Sequence, residues 1–169
     1  MYFSYYEKYG EILPNGWVVT NFETLLNYEQ PTQYIVKSTK YDDAYQTPVL
    51  TAGKSFILGY TNETDNIFSD VPVIIFDDFT TSSRIVDFDF KVKSSAMKIL
   101  KISDSKKYDI EYMYYLLQTI RINNDSHKRF WISEYYPLKV KIHTISEQKK
   151  IVSAINTAFT ILDSMSKSF

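Results

Sequence analysis

Val73-Ile74-Ile75-Phe76-Asp77-Asp78-Phe79-Thr80-Thr81-Ser82-Ser83-Arg84-Ile85-Val86-Asp87-Phe88-Asp89-Phe90-Lys91-Val92-Lys93 is the stretch whose reading decides the fold. Its apolar run, Val73 to Phe76, stops at two aspartates and crosses a hydroxyl-rich turn over Thr80 to Ser83. It then resumes as an alternation, with Ile85, Asp87, Asp89, Lys91 and Lys93 set against Val86, Phe88, Phe90 and Val92. A period of two predicts a strand with one buried face. The segment is therefore expected to form a sheet core with polar edges, and the small hydroxyls Ser94 and Ser95 follow it beside lysines.

Working outward, the 169 residues allow one ordinary domain with an appendage. There is no cysteine, which removes disulfides, thiolate zinc sites and a cysteine nucleophile, and which fits a cytoplasmic protein. The N-terminus lacks a basic region followed by an apolar one, and no apolar run is long enough to span a bilayer. The expectation is a soluble chain without a membrane partner. The formal charge of −1 conceals an asymmetry: residues 1–90 hold five Lys and Arg against thirteen Asp and Glu, whereas residues 91–169 hold fourteen against seven. The second half is where an anion would bind, and a basic half is the electrostatic footprint of a nucleic-acid partner. Lysines on a merely solvated face would give the same count.

In chain order, Thr20 with Glu23 has capping-box spacing ahead of Leu25-Leu26 and predicts a short helix before Pro31. Tyr34 to Val36, Pro48 to Leu50 and Phe56 to Leu58 read as strands, the last two joined by a turn at Gly53. Asp109 is placed to N-cap a helix striped by Met113, Leu116, Leu117 and Ile120, and Lys139 to His143 reads as a last strand. From Ser146, taken as an N-cap, Ile151, Ile155, Ala158, Leu162, Met165 and Phe169 recur at heptad spacing, widened by Val152 and Phe159. Such a helix would run roughly 35 Å at about 1.5 Å per residue. It would either fold back on its own domain or meet a partner helix.

Three motifs invite enzymatic readings. Gly53-Lys54-Ser55 ends like a phosphate-binding loop, but Pro48 stands where the first glycine is required and lacks the N–H such a loop uses. Asp89-Phe90-Lys91, with Asp77 or Asp78 upstream, matches the D-x-K close of a magnesium-dependent nuclease. The same alternation of Asp87, Asp89 and Lys91 is also what an ordinary solvated face looks like. His127 and His143 stand in no ligand spacing, so imidazole metal sites and serine–histidine catalysis lack support.

Taken together, several blocks carry a resemblance. Leu13 to Trp17, Pro48 to Thr61, Ile75 to Thr81, Lys91 to Leu100, His127 to Tyr135 and Glu147-Gln148-Lys149-Lys150-Ile151-Val152 resemble the specificity subunit of type I restriction-modification systems. The match covers almost the whole chain.

The resemblance implies an α+β fold: residues 1–145 as a β-rich target recognition domain with a few helices, and residues 146–169 as the start of a coiled-coil spacer or dimerisation helix. It further implies a non-catalytic DNA reader of one half of a bipartite site, with no cofactor and no metal of its own. Double-stranded DNA, methyltransferase subunits and, through them, a restriction subunit are the expected partners, and a homodimer through the terminal helix would read a two-fold related site. The residues expected to touch phosphates or bases are Lys54, Thr80, Thr81, Ser82, Arg84, Lys91, Lys93, Ser94, Ser95, Lys128 and Arg129. Helix pairing is expected of Ile151, Ile155, Leu162, Met165 and Phe169. The rival readings are the nuclease using Asp77 or Asp78, Asp89 and Lys91, and a protein-docking module without useful DNA affinity.

Overall fold

The computed structural model describes residues 12–52, 55–122 and 128–167. Among the described residues, nine strands fall into three sheets. The central sheet is antiparallel throughout, in the order β2 (Leu26–Glu29), β8 (Met97–Ile102), β5 (Val73–Asp77), β6 (Ser83–Val86). A smaller sheet runs β4 (Ile57–Thr61), β3 (Thr47–Leu50), β7 (Lys91–Val92), and β1 (Val18–Asn21) pairs with β9 (Lys139–Ile142).

Both faces of the central sheet are buried, which explains why β5 reads as an unbroken apolar run. Ile74 and Phe76 point into one core with Leu100 of β8, while Val73 and Ile75 point into a second core with Met97 and Ile99. The first core is closed by the short helix α1 (Phe22–Leu25), by α2 (Ile110–Thr119), by a π-helical turn at Trp131–Tyr135 and by the start of α3 (Ile145–Ser166). The second is closed by Leu50 and Val92 of the small sheet and by the stacked rings of Phe68 and Phe90, 5.0 Å apart. The layers are thus helices, central sheet and small sheet, an α+β arrangement as expected.

The β5–β6 hairpin, the β3–β4 pair and the Asp109-capped helix form as the sequence predicts, with the Asp109 carboxylate accepting from the Tyr112 amide at 3.0 Å. Four details differ. The alternation beyond Val86 is not one strand: the chain leaves β6, passes Asp87 to Asp89 outside any strand and re-enters as β7, parallel to β3 in the other sheet. Tyr34 to Val36 is not a strand; Pro31 starts a 3₁₀ turn over Pro31–Tyr34, and Ile35 makes an isolated bridge to Val92. Asn21, rather than Thr20, caps α1, its side chain accepting from the Thr24 amide. Thr144, rather than Ser146, caps α3, because Glu147 stands three residues later and closes a capping box.

The root of α3 is sealed into the domain. Gln148, fully buried, donates to the carbonyls of Lys107 (3.0 Å) and His143 (2.8 Å) and accepts from the Asp109 amide (2.9 Å). Trp17 donates its indole N–H to Glu147 at 3.1 Å and packs on the His143 ring, centroids 3.9 Å apart. Val152 is buried and Ile151 packs on the same core, whereas from Asn156 onward every described position of the helix is exposed.

Candidate nucleic-acid interface

The β5–β6 turn is built by Asp77. Its carboxylate accepts from the Phe79 amide at 2.9 Å and from the Thr80 hydroxyl at 2.6 Å, and its backbone N–H donates to the Ser82 carbonyl at 2.8 Å. The turn forces Thr81 into the left-handed region, at φ 62°, an uncommon conformation for a β-branched residue and one that functional turns retain. Tyr135 supports it from beneath: burial pushes its phenol above the ordinary range, against the opposing pull of a hydrogen bond with Thr81 and of the nearby Arg121 charge.

Asp78 then gathers the neighbouring loops. Its backbone N–H donates to the Ala96 carbonyl (3.0 Å) and its carbonyl accepts from the Phe130 amide (2.9 Å). Its carboxylate accepts from the Trp131 amide (2.8 Å) and pairs with Lys98 (2.8 Å), both side chains being sealed from water. A buried aspartate is tolerated only when its charge is paired in this way. The result is that the turn 79–82, the loop 93–96 and the segment 128–131 meet at one residue. Lys93 donates its backbone N–H to the Leu50 carbonyl at 2.8 Å, which adds the end of β3.

On this platform Thr80, Ser82 and Arg84 are exposed and Thr81 is half-buried. Thr80, Ser82 and Arg84 line a cleft of about 390 Å³ with Thr51, Ala52 and Phe56. Lys93 and Ser94 are exposed in the adjoining loop and Ser95 is half-buried. Arg129 is about half exposed, its guanidinium 5.6 Å from the centroid of the Phe79 ring. Lys128 is exposed but ion-paired with Glu134. Lys54 lies outside the described residues.

One expected contact is corrected. Lys91 is fully buried, its ammonium 3.0 Å from the Glu63 carboxylate and donating to the Asp65 carbonyl at 2.7 Å, so it cannot reach a phosphate. Strand parity misled: once the chain changes sheets at Asp87 to Asp89, Phe90 and Val92 face the second core and Lys91 is covered by the Glu63–Asp65 segment. The same geometry dismantles the nuclease constellation, since Lys91 is committed to Glu63, Asp78 to Lys98, and Asp77 to the turn. Phe56, Phe79 and the gathering role of Asp78 were missed; only the Asp-Asp pair closing an apolar run hinted at them.

Along α3, Ile151 packs on the core, Ile155 is half-buried, and Leu162 and Met165 are exposed together with Phe159 and Ile161. Phe169 lies outside the described residues. No helix among the described residues is long and apolar enough to cross a membrane.

Fold and surface define a class: an α+β domain in which three segments converge at Asp78 beneath a polar surface, with a terminal helix leaving the first core. The chain is related over nearly its whole length to the specificity subunit of type I restriction enzymes. It is 46% identical over 164 residues to the Type I restriction enzyme EcoR124I/EcoR124II specificity subunit of Escherichia coli, a match covering 95% of this chain and 40% of that subunit. The chain therefore spans about two fifths of its relative's length. Its fold is shared with the type I restriction-modification S subunit from M. genitalium, at TM-score 0.67 and 14% identity over 93% of this chain and 43% of that one. It is shared likewise with the HsdS subunit from Thermoanaerobacter tengcongensis, at TM-score 0.64 and 12% identity over 94% of this chain and 41% of that one. No family model matches the chain.

Proposed function

We propose that this chain is the DNA-binding target recognition part of a type I specificity subunit, reading one half of a bipartite site and directing adenine methylation and restriction by partner subunits without chemistry of its own. The observation that carries the reading is the convergence at Asp78 of the turn 79–82, the loop 93–96 and the segment 128–131, which together with Arg84 of β6 expose hydroxyls, two arginines and Lys93. Hydroxyls and cations on loops hold phosphates and set register, while a few side chains reach base edges in the major groove. Thr80, Thr81, Ser82, Arg84, Lys93, Ser94, Ser95, Lys128, Arg129 and Lys54 remain the proposed contact set, without Lys91.

Residues 1–145 act as the reading domain and residues 146–169 as the start of a spacer. Ile155, Leu162, Met165 and Phe169 form its pairing seam, toward a second copy or a methyltransferase subunit, while Ile151 anchors the seam's root. An exposed row of large apolar side chains on a helix is a protein-binding surface by its chemistry.

The test is retention of random duplexes by the purified chain, without magnesium, at two salt concentrations. Enrichment of a short motif, with binding that falls steeply as salt rises, is the expected result. A folded chain that retains no motif alone or with methyltransferase subunits would remove the DNA-reading function and leave the helix as the functional surface.

A further inference from the structure

Among the described cations around the reading face, only some are free to act. Lys91 and Lys98 are buried and paired with Glu63 and Asp78, and Lys128 is paired with Glu134. Arg84 and Arg129 differ from all three. Arg84 makes no ion pair among the described residues, and its guanidinium lies 4.9 Å from the centroid of the Phe56 ring. Arg129 lies 5.6 Å from the centroid of Phe79 and 3.9 Å from Oδ2 of Asp78. That carboxylate is already neutralised by Lys98 at 2.8 Å, so the three groups together keep one positive charge.

The two arginines flank the same turn. Arg84 lines the cleft that Asp77, Thr80 and Ser82 share, and Arg129 covers the ring of Phe79 within the turn. Phe79 is 42% exposed, an apolar side chain left partly in solvent beside a guanidinium. An aromatic ring under a guanidinium restrains its plane and engages its face, while the N–H groups around its edge stay available. Those edge donors are what a bidentate contact needs, and the acceptor pair they match in duplex DNA is N7 and O6 of guanine in the major groove.

We propose that Arg84 and Arg129 are the base-reading residues of this face, each addressing a guanine, with Phe56 and Phe79 as the rings that hold them in register. Lys93, exposed and with no ring contact among the described residues, serves phosphate. This assignment rests on the DNA-reading function proposed above and adds which side chains carry its specificity.

The experiment compares duplex selection by the full chain, by Arg84→Lys, by Arg129→Lys and by Phe79→Leu, each checked for an unchanged thermal melt. Lysine keeps the charge and removes the fork. Each arginine variant is expected to lose, on the order of tenfold, the preference for guanine at one position of the selected motif, a different one for each, with the salt dependence kept. Phe79→Leu is expected to weaken the position lost in Arg129→Lys. If the wild-type chain selects a motif and both lysine variants select it with undiminished preference, the arginines touch phosphate and the assignment is overturned. If the wild-type chain selects no motif, alone or with methyltransferase subunits, the DNA-reading function fails, and the assignment with it.

Discussion

Lys98 and Asp78 form an ion pair at 2.8 Å with neither side chain in contact with water, directly beneath the loops proposed to read DNA. Removing one partner of such a pair strands the other charge, whereas removing both does not. Lys98→Met is therefore expected to cost about 3–5 kcal/mol of stability, and Asp78→Asn combined with Lys98→Met substantially less. Urea denaturation of the two variants measures this, and a double variant destabilised by more than Lys98→Met alone would show that the stranded Asp78 charge is not the source of the cost.

Glu63 gives the domain an acid-sensitive seam. Burial pushes its carboxyl up, but the Ser38 amide, the Lys91 ammonium and the Lys37 amide together pull it further down, so that it ends below its ordinary value of 4.5. A carboxyl depressed in the folded state stabilises the fold fully above its unfolded pKa and ceases to do so as pH falls through the folded one. Wild type should exceed Glu63→Gln in stability at neutral pH, and the gap should close as pH drops below 4.5. A gap independent of pH would mean that the Glu63 charge contributes nothing.

Lys91 and Lys93 are two residues apart and should behave oppositely. Lys91→Met strands Glu63 and should lower stability by about 3 kcal/mol or more. Lys93→Ala, at an exposed position, should change stability by no more than about 0.5 kcal/mol, while weakening binding to all duplexes alike and lowering the salt slope by about one. Chemical denaturation and salt titrations of binding separate the two.

Val152 and Leu162 divide the terminal helix between fold and partner. Val152→Ala opens a space in the core and should cost about 1–3 kcal/mol, whereas Leu162→Glu, at a position 59% exposed, should leave the melt unchanged. If the seam pairs with a second copy, Leu162→Glu should shift the sedimentation coefficient toward monomer. An unchanged dimer would place the interface elsewhere.

What the sequence disclosed follows from where local chemistry rules. The β5–β6 hairpin was legible because Val73 to Phe76 cannot be exposed and the Thr/Ser turn cannot be strand. The α2 cap was legible because the Asp109 carboxylate acts within its own helix. What was hidden depended on long-range events. Nothing near Lys91 announces that the chain will change sheets four residues earlier, and nothing near Asp78 announces Trp131, 53 residues away. The cap of α3 was misplaced by two residues because Ser146 and Thr144 are both competent and only the Glu147 side chain distinguishes them. The loops proposed to read DNA were singled out by their hydroxyls and charge, but the rings beside Arg84 and Arg129 come from other segments of the chain.

Gln148 ties the first turns of α3 to the carbonyls of Lys107 and His143 and to the Asp109 amide, which fixes the helix in azimuth as well as in direction. Whatever grips the exposed half of α3 therefore grips the loop platform at a set angle, since an α-helix turns about 100° and advances about 1.5 Å with each residue. One residue inserted after Val152 would swing the platform by more than a quarter turn while lengthening the arm by less than half a base-pair step. On the DNA-reading function proposed above, helical phase, more than arm length, would decide which side of the duplex the domain meets.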